Sequence, residues 1–224
     1  MAKTIGTLAA LEAIAERARD YLEQENQARE RALAKTREVI RASANTIRAV
    51  HRQEFERASQ LLAEARQALE GATTAAAPFG EVMYAGFIHD AQKEFTEATT
   101  VLAILSGRPL PTPEDIDVGW PAYLNGLGEA VGELRRFLLD SLRRGDLSQG
   151  EQLLQAMEDI YDVLVTMDYP DAITGGLRRT TDSTRGILEK TRGDLTVAMR
   201  QSDLEGQLRL LADQFTRLDP AQRT

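Results

Sequence analysis

From Thr7 to Glu70 the chain contains neither glycine nor proline. These are the two residues that most readily interrupt a helix. A run of this length leaves two choices, one very long helix or two helices joined end to end, with the weakest point near Gln24 to Gln27. Its apolar residues recur at helical spacing. Leu8, Leu11, Ala15, Ala18 and Leu22 form one seam, and Ile40, Ala44, Ile47, Ala58, Leu61, Ala65 and Leu69 form a second.

The rest of the chain follows the same period. No stretch sustains the alternation of a half-buried strand, so the sequence predicts an all-α fold. Gly71 and the segment from Ala72 to Gly80 break the first run, and a helix is expected over Val82–Ser106. Four of the seven prolines then fall within Gly107–Pro121, which must be a loop. Further helices are expected over Ala122–Arg144, closed by Gly145, and from a cap at Asp146 or Ser148 to a stop before Pro170. Two more are expected, over Asp182–Arg200 and Asp203–Leu218. The count is about seven helices in a single domain spanning 1–224, with 107–121 as an internal proline-rich loop.

Composition bounds the function. There is no cysteine, and hence neither a disulfide nor a thiolate metal site. No segment has the length and apolarity of a membrane span, and the N-terminus lacks the features of a secretory leader. These features predict a cytoplasmic protein with no membrane association. The formal charge of −8 argues against a protein that coats nucleic acid with its whole surface, yet leaves room for a local basic face.

Two pairs of glutamates stand out. Glu94 and Glu97 share one face of an expected helix, and Glu129 and Glu133 share a face of the next. Glu94 falls within a stripe of Phe87, Ala91, Ala98, Val101, Leu102 and Leu105, where a carboxylate is costly unless protonated, paired or bound to a metal. Glu129 and Glu133 point away from the stripe of Leu124, Leu127, Val131, Leu134 and Leu138. Their own face is rich in small residues: Gly126, Gly128, Ala130 and Gly132. Di-iron carboxylate bundles need Glu-x-x-His motifs, and the two histidines, His51 and His89, follow Arg48 and Gly86 at that spacing. That chemistry is excluded. All-oxygen ligation fits Mg²⁺ or Mn²⁺, and solvated or ion-paired glutamates fit the spacing equally.

A basic row is the second constellation. Arg37, Arg41, Arg48 and Arg52 lie within a narrow sector of one helix, with Asn45 beside them. Between Arg29 and Arg52 seven Lys/Arg stand against two Glu, a local charge of +5. A guanidinium row at turn spacing can track a phosphate backbone, and a solvated face laced with salt bridges has the same pattern. His51 follows the apolar register, as a packed or capping histidine would. Trp120 and Tyr123, at the end of the proline loop, read as its anchors, with base stacking as the alternative. No Ser-His-Asp set, P-loop or dinucleotide fingerprint occurs.

Four blocks, taken in order, resemble the translin/TRAX family over about Arg29 to Arg200. RERALAKTREVIRASANTIRAVHR supplies Arg37, Glu38, Ile47, His51 and Arg52, similar to the family's Arg-Asp/Glu start and Ile-x-x-x-His-Arg end. KEFTEA resembles the Gln-Glu-Tyr-Val-Glu-Ala block of the TRAX branch. YLNGLGEAVGELRRFLLDSLRRGD resembles the Tyr-Leu-x-Gly block that runs into Gly-Glu-Leu and a Gly-Asp helix end, and YDVLVTM matches a Tyr-Asp segment.

The resemblance implies a seven-helix bundle assembled into a hollow homo-oligomer, with octamers common, that encloses single-stranded RNA. In the TRAX branch the acidic residues at these positions bind Mg²⁺ or Mn²⁺ and support endoribonuclease activity. Carried over, Glu94, Glu97 and Glu129 become metal ligands and Glu133 a further ligand or base. Arg37, Arg41, Arg48, His51 and Arg52 become contacts to phosphate. Glu129 departs from the family, which has Asp there. The alternative is a translin-like protein that binds single-stranded RNA or DNA without cutting it.

Overall fold

The structure, a computed structural model, describes the backbone of residues 3–218 and the side chains of residues 7–215. The expected domain over 1–224 thus includes residues 1–2 and 219–224, which lie outside the described ones. Every regular element described is helical: α1 (Lys3–His51), α2 (Phe55–Ala76), α3 (Gly80–Met83), α4 (Gly86–Leu105), α5 (Pro113–Ile116), α6 (Trp120–Arg143), α7 (Gly150–Val165), α8 (Asp171–Thr174) and α9 (Leu177–Leu218). None of these is long and apolar enough to cross a membrane. Six are long, and α3, α5 and α8 are single turns.

The first run is indeed two helices, but they join at Arg52–Glu54 and not near Gln24–Gln27. The stop is built from backbone. Gln53 adopts φ 61°, the Glu54 N–H donates to the Ala49 carbonyl at 2.9 Å, and the Gln53 N–H donates to the Val50 carbonyl at 2.8 Å. This pair of bonds is a Schellman motif, usually closed by glycine. The same motif ends α4 at Gly107 and α6 at Gly145. The two helices expected over Asp182–Arg200 and Asp203–Leu218 form one continuous α9.

By internal packing the chain divides into two compact units, residues 1–127 with 172–175, and residues 128–171 with 176–224. In the first, α1 packs along α2 and α4, with Ala32, Ala72, Ala76, Val82 and Ile88 forming a core cluster. The buried face of α1 runs through Ala28, Ala32, Thr36, Val39, Ser43, Thr46, Ile47 and Val50. Thr36 and Thr46 donate their hydroxyls to carbonyls of their own helix, Leu33 and Ala42, both at 3.0 Å. Turned inward on the helix, they pack as small apolar groups. The proline loop is ordered around α5. Thr112 and Asp115 cap one another reciprocally, and the Tyr123 hydroxyl donates to the Pro111 carbonyl at 2.6 Å. Hydrogen bonds from the Thr112 N–H and hydroxyl hold the Asp115 carboxyl below its ordinary range.

In the second unit α7 packs on α9. Leu153, Leu154, Met157, Ile160 and Leu164 are buried on α7, and Leu177, Thr184, Leu188, Thr191 and Leu195 on α9. Gly150 lets α7 begin against the Leu195 side chain, and Gly128 of α6 meets Thr180, Leu164 and Thr184.

Candidate metal and nucleic-acid site

Glu94 and Glu97 lie one turn apart on α4, so both carboxylates leave the same face. Both are half-buried, and each offers an oxygen within 4.8 Å of the other's. Phe95, Thr96 and Ala98 beside them are buried, which fixes the rotation of α4. Thr96 adds no competing ligand, because its hydroxyl donates to the Gln92 carbonyl at 2.8 Å. Within the same unit the first turns of α6 approach this stretch of α4 closely. A Cβ on Gly126 would stand 2.6 Å from the Thr96 Cβ and 2.7 Å from the Lys93 carbonyl oxygen. Glu94, expected as a buried carboxylate within an apolar stripe, is instead partly exposed, which lowers its desolvation cost.

The second pair sits on α6 within the second unit. Glu129 is half-buried. Glu133 has 24% of its side chain exposed and lies 3.5 Å from the Arg136 guanidinium. Neither is the freely solvated glutamate of an exposed helix face. Oxygen donors of this kind suit a hard divalent cation and poorly suit a soft one.

Arg37, Arg41 and Arg48 are exposed along α1 and Arg52 just past its end, and His51 is half-buried in its last turn. The arrangement is less uniformly basic than the α1 sequence alone suggests. The Arg48 Nη1 donates to Asn45 Oδ1 at 2.6 Å. Arg52 makes a two-pronged contact with Glu54, at 2.7 and 2.9 Å. That hydrogen-bonded pairing pushes the Arg52 guanidinium up and holds the Glu54 carboxyl below its usual range. Arg41 opens on a small cleft that Glu38 of α1 and Glu64 of α2 also line. Glu64 could not have been found from the periodicity of α1, since only the packing of α2 brings it there. Of the two loop aromatics, Tyr123 is buried and anchored, whereas Trp120 is 58% exposed and meets the Tyr123 ring edge-on.

No protein-family model matches the chain. It is 31% identical over 195 residues to an uncharacterized protein of Methanocaldococcus jannaschii, a match spanning 85% of each chain. Among solved structures, AfC3PO in complex with duplex RNA is similar at 34% identity and a TM-score of 0.78, covering 84% of this chain and 97% of that one. AfC3PO alone matches at 35% identity, with a TM-score of 0.77 and the same two coverages. Apo-NeC3PO, at 19% identity and a TM-score of 0.69, covers 84% of this chain and 96% of that one and shares the fold. At 34–35% identity over 97% of the AfC3PO chain, the fold is that of a helical protein of the translin/TRAX type. The chain belongs to the C3PO family.

Proposed function

We propose that this protein is a metal-dependent endoribonuclease of the TRAX type, acting on single-stranded RNA inside a homo-oligomeric shell in the cytoplasm. The carrying observation is the half-buried Glu94–Glu97 pair, in a chain one-third identical to a protein solved with duplex RNA. Glu94, Glu97 and Glu129, three half-buried carboxylates, would hold Mg²⁺ or Mn²⁺. The ion would supply charge stabilisation at a phosphoryl oxygen and a more acidic bound water. Glu133, whose carboxylate lies 3.5 Å from the Arg136 guanidinium, would serve as a further ligand or orient water. Arg37, Arg41, Arg48 and His51 position phosphates. Arg52 joins them by exchanging Glu54 for a phosphate, a substitution that preserves its two-pronged geometry.

A second reading keeps RNA or single-stranded DNA binding and drops cleavage. Glu129 favours it, because its longer side chain stands where the family has Asp and must reach a ligand position by another rotamer. One experiment separates the two. Labelled single-stranded RNA, and its duplex form, is incubated with the protein in Mn²⁺ or in chelator, beside Glu94→Gln and Glu97→Gln. The nuclease reading expects internal cuts that require metal and fall by at least ~10²-fold in each variant, with RNA affinity and thermal stability retained. RNA bound but uncut in every metal would replace it with the binding reading, and undiminished cutting by both variants would move the active site elsewhere.

A further inference from the structure

A cleft of about 370 Å³ lies between α2, α4 and the proline loop, wholly within the first unit. Its size falls in the range of small-molecule sites. The floor is apolar, made by Phe95 and Leu102 of α4 and Ile116 of α5. Thr99 also lines it but presents no free donor, since its hydroxyl bonds the Phe95 carbonyl at 2.7 Å.

The rim is different. Two guanidiniums line the cleft, from Arg66 and Arg108. Arg108 donates to a neutral partner, the Ser59 hydroxyl, at 3.1 Å. Arg66 donates to the backbone carbonyl of Asp115, and its contact with exposed Glu70 is a long 3.8 Å. Asp115 lines the same cleft, and its carboxylate accepts from the Thr112 N–H and hydroxyl, both at 2.9 Å, and feels the Arg66 charge. Arg66 and Arg108 therefore border an apolar hollow, Arg108 held by a neutral hydroxyl and Arg66 by a backbone carbonyl within the field of the Asp115 and Glu70 carboxylates. That combination is complementary to a molecule with an apolar body and one anionic end.

We propose that this cleft binds a soluble medium-chain carboxylic acid, its alkyl chain over Phe95, Leu102 and Ile116 and its carboxylate between Arg108 and Arg66. None of the four glutamates or the α1 arginines lines this cleft, and the proposal does not rest on the nuclease reading. A phosphate group alone would leave the apolar floor unused, and an alkylammonium would meet like charge at the rim.

The test is calorimetric titration of the full chain with octanoate and, separately, with octylammonium, using wild type, Arg108→Gln and Ala63→Phe. Ala63 is an exposed residue on the wall, so a phenyl group there fills the cleft without disturbing the core. Trp120 fluorescence gives a second readout, through Tyr123 and the Pro111 carbonyl to which it is bonded. Expected are saturable octanoate binding, no octylammonium binding, about tenfold weaker binding in Arg108→Gln, and none in Ala63→Phe. Absence of saturable octanoate binding, equal binding of the two amphiphiles, or undiminished binding by Ala63→Phe would each overturn the proposal.

Discussion

Gly126 and Gly132 occupy the same helix and face opposite demands. At Gly126 an added methyl would collide with Thr96 and a carbonyl of α4, neither of which is a flexible side-chain end. At Gly132 the nearest heavy atom, Ile187 Cδ1, stands 4.0 Å from an added Cβ. Gly126→Ala is therefore expected to destabilise by about 1–3 kcal/mol, the cost of overpacking. Gly132→Ala should stabilise by up to about 1 kcal/mol, the helical advantage of alanine. Chemical denaturation of the two variants beside wild type checks both signs, and a loss at Gly132 would show that this face of α6 has no room for a methyl group. Small residues around the glutamates were visible in the sequence. Which of them touch another helix was not, because a helical period fixes a face and says nothing of what packs there.

At the scale of elements, legibility depended on whether a helix end was written in glycine. Gly107 and Gly145 announce the ends of α4 and α6. α1 ends in the same hydrogen-bond pattern with Gln53 in the left-handed region, a conformation that costs a residue with a Cβ roughly 1–2 kcal/mol. Nothing in the local sequence marks it, so the break was expected some twenty-five residues too early. Replacing the residue reveals the strain directly. Gln53→Gly should raise stability by about 1 kcal/mol in denaturant unfolding, and a neutral or destabilising result would mean the glutamine side chain compensates its backbone. The buried face of α1 was hidden in another way. Thr36, Ser43 and Thr46 read as polar, and the expected seam therefore settled on Ile40, which is 37% exposed.

At the scale of the whole molecule, one seam read from the sequence stays largely exposed among the described residues. Leu8, Leu11 and Leu22 are each more than half exposed, as is Ile14. α9 repeats the pattern in its own unit with Leu204, Leu208, Leu211 and Phe215, spaced four, three and four residues apart, the period of a helix-packing seam. Contiguous exposed apolar rows mark interaction surfaces in folded proteins. The periodicity made both seams legible as faces to be buried, but a single sequence cannot say whether the covering helix belongs to the same chain. Assembly with further copies would cover them, and under the proposed function it would also reconcile a net charge of −8 with RNA binding if the arginine row of α1 faces an enclosed space. Leu8→Glu with Leu11→Glu tests the first row. Light scattering on the wild type should give a multiple of the 24.8 kDa chain mass, and the double variant should fall toward a single chain with its helical circular dichroism intact. Both substitutions lie at exposed positions, so loss of fold is not the expected route to a smaller particle. An unchanged mass would remove the start of α1 from the interface and leave α9 as the surface on which assembly depends.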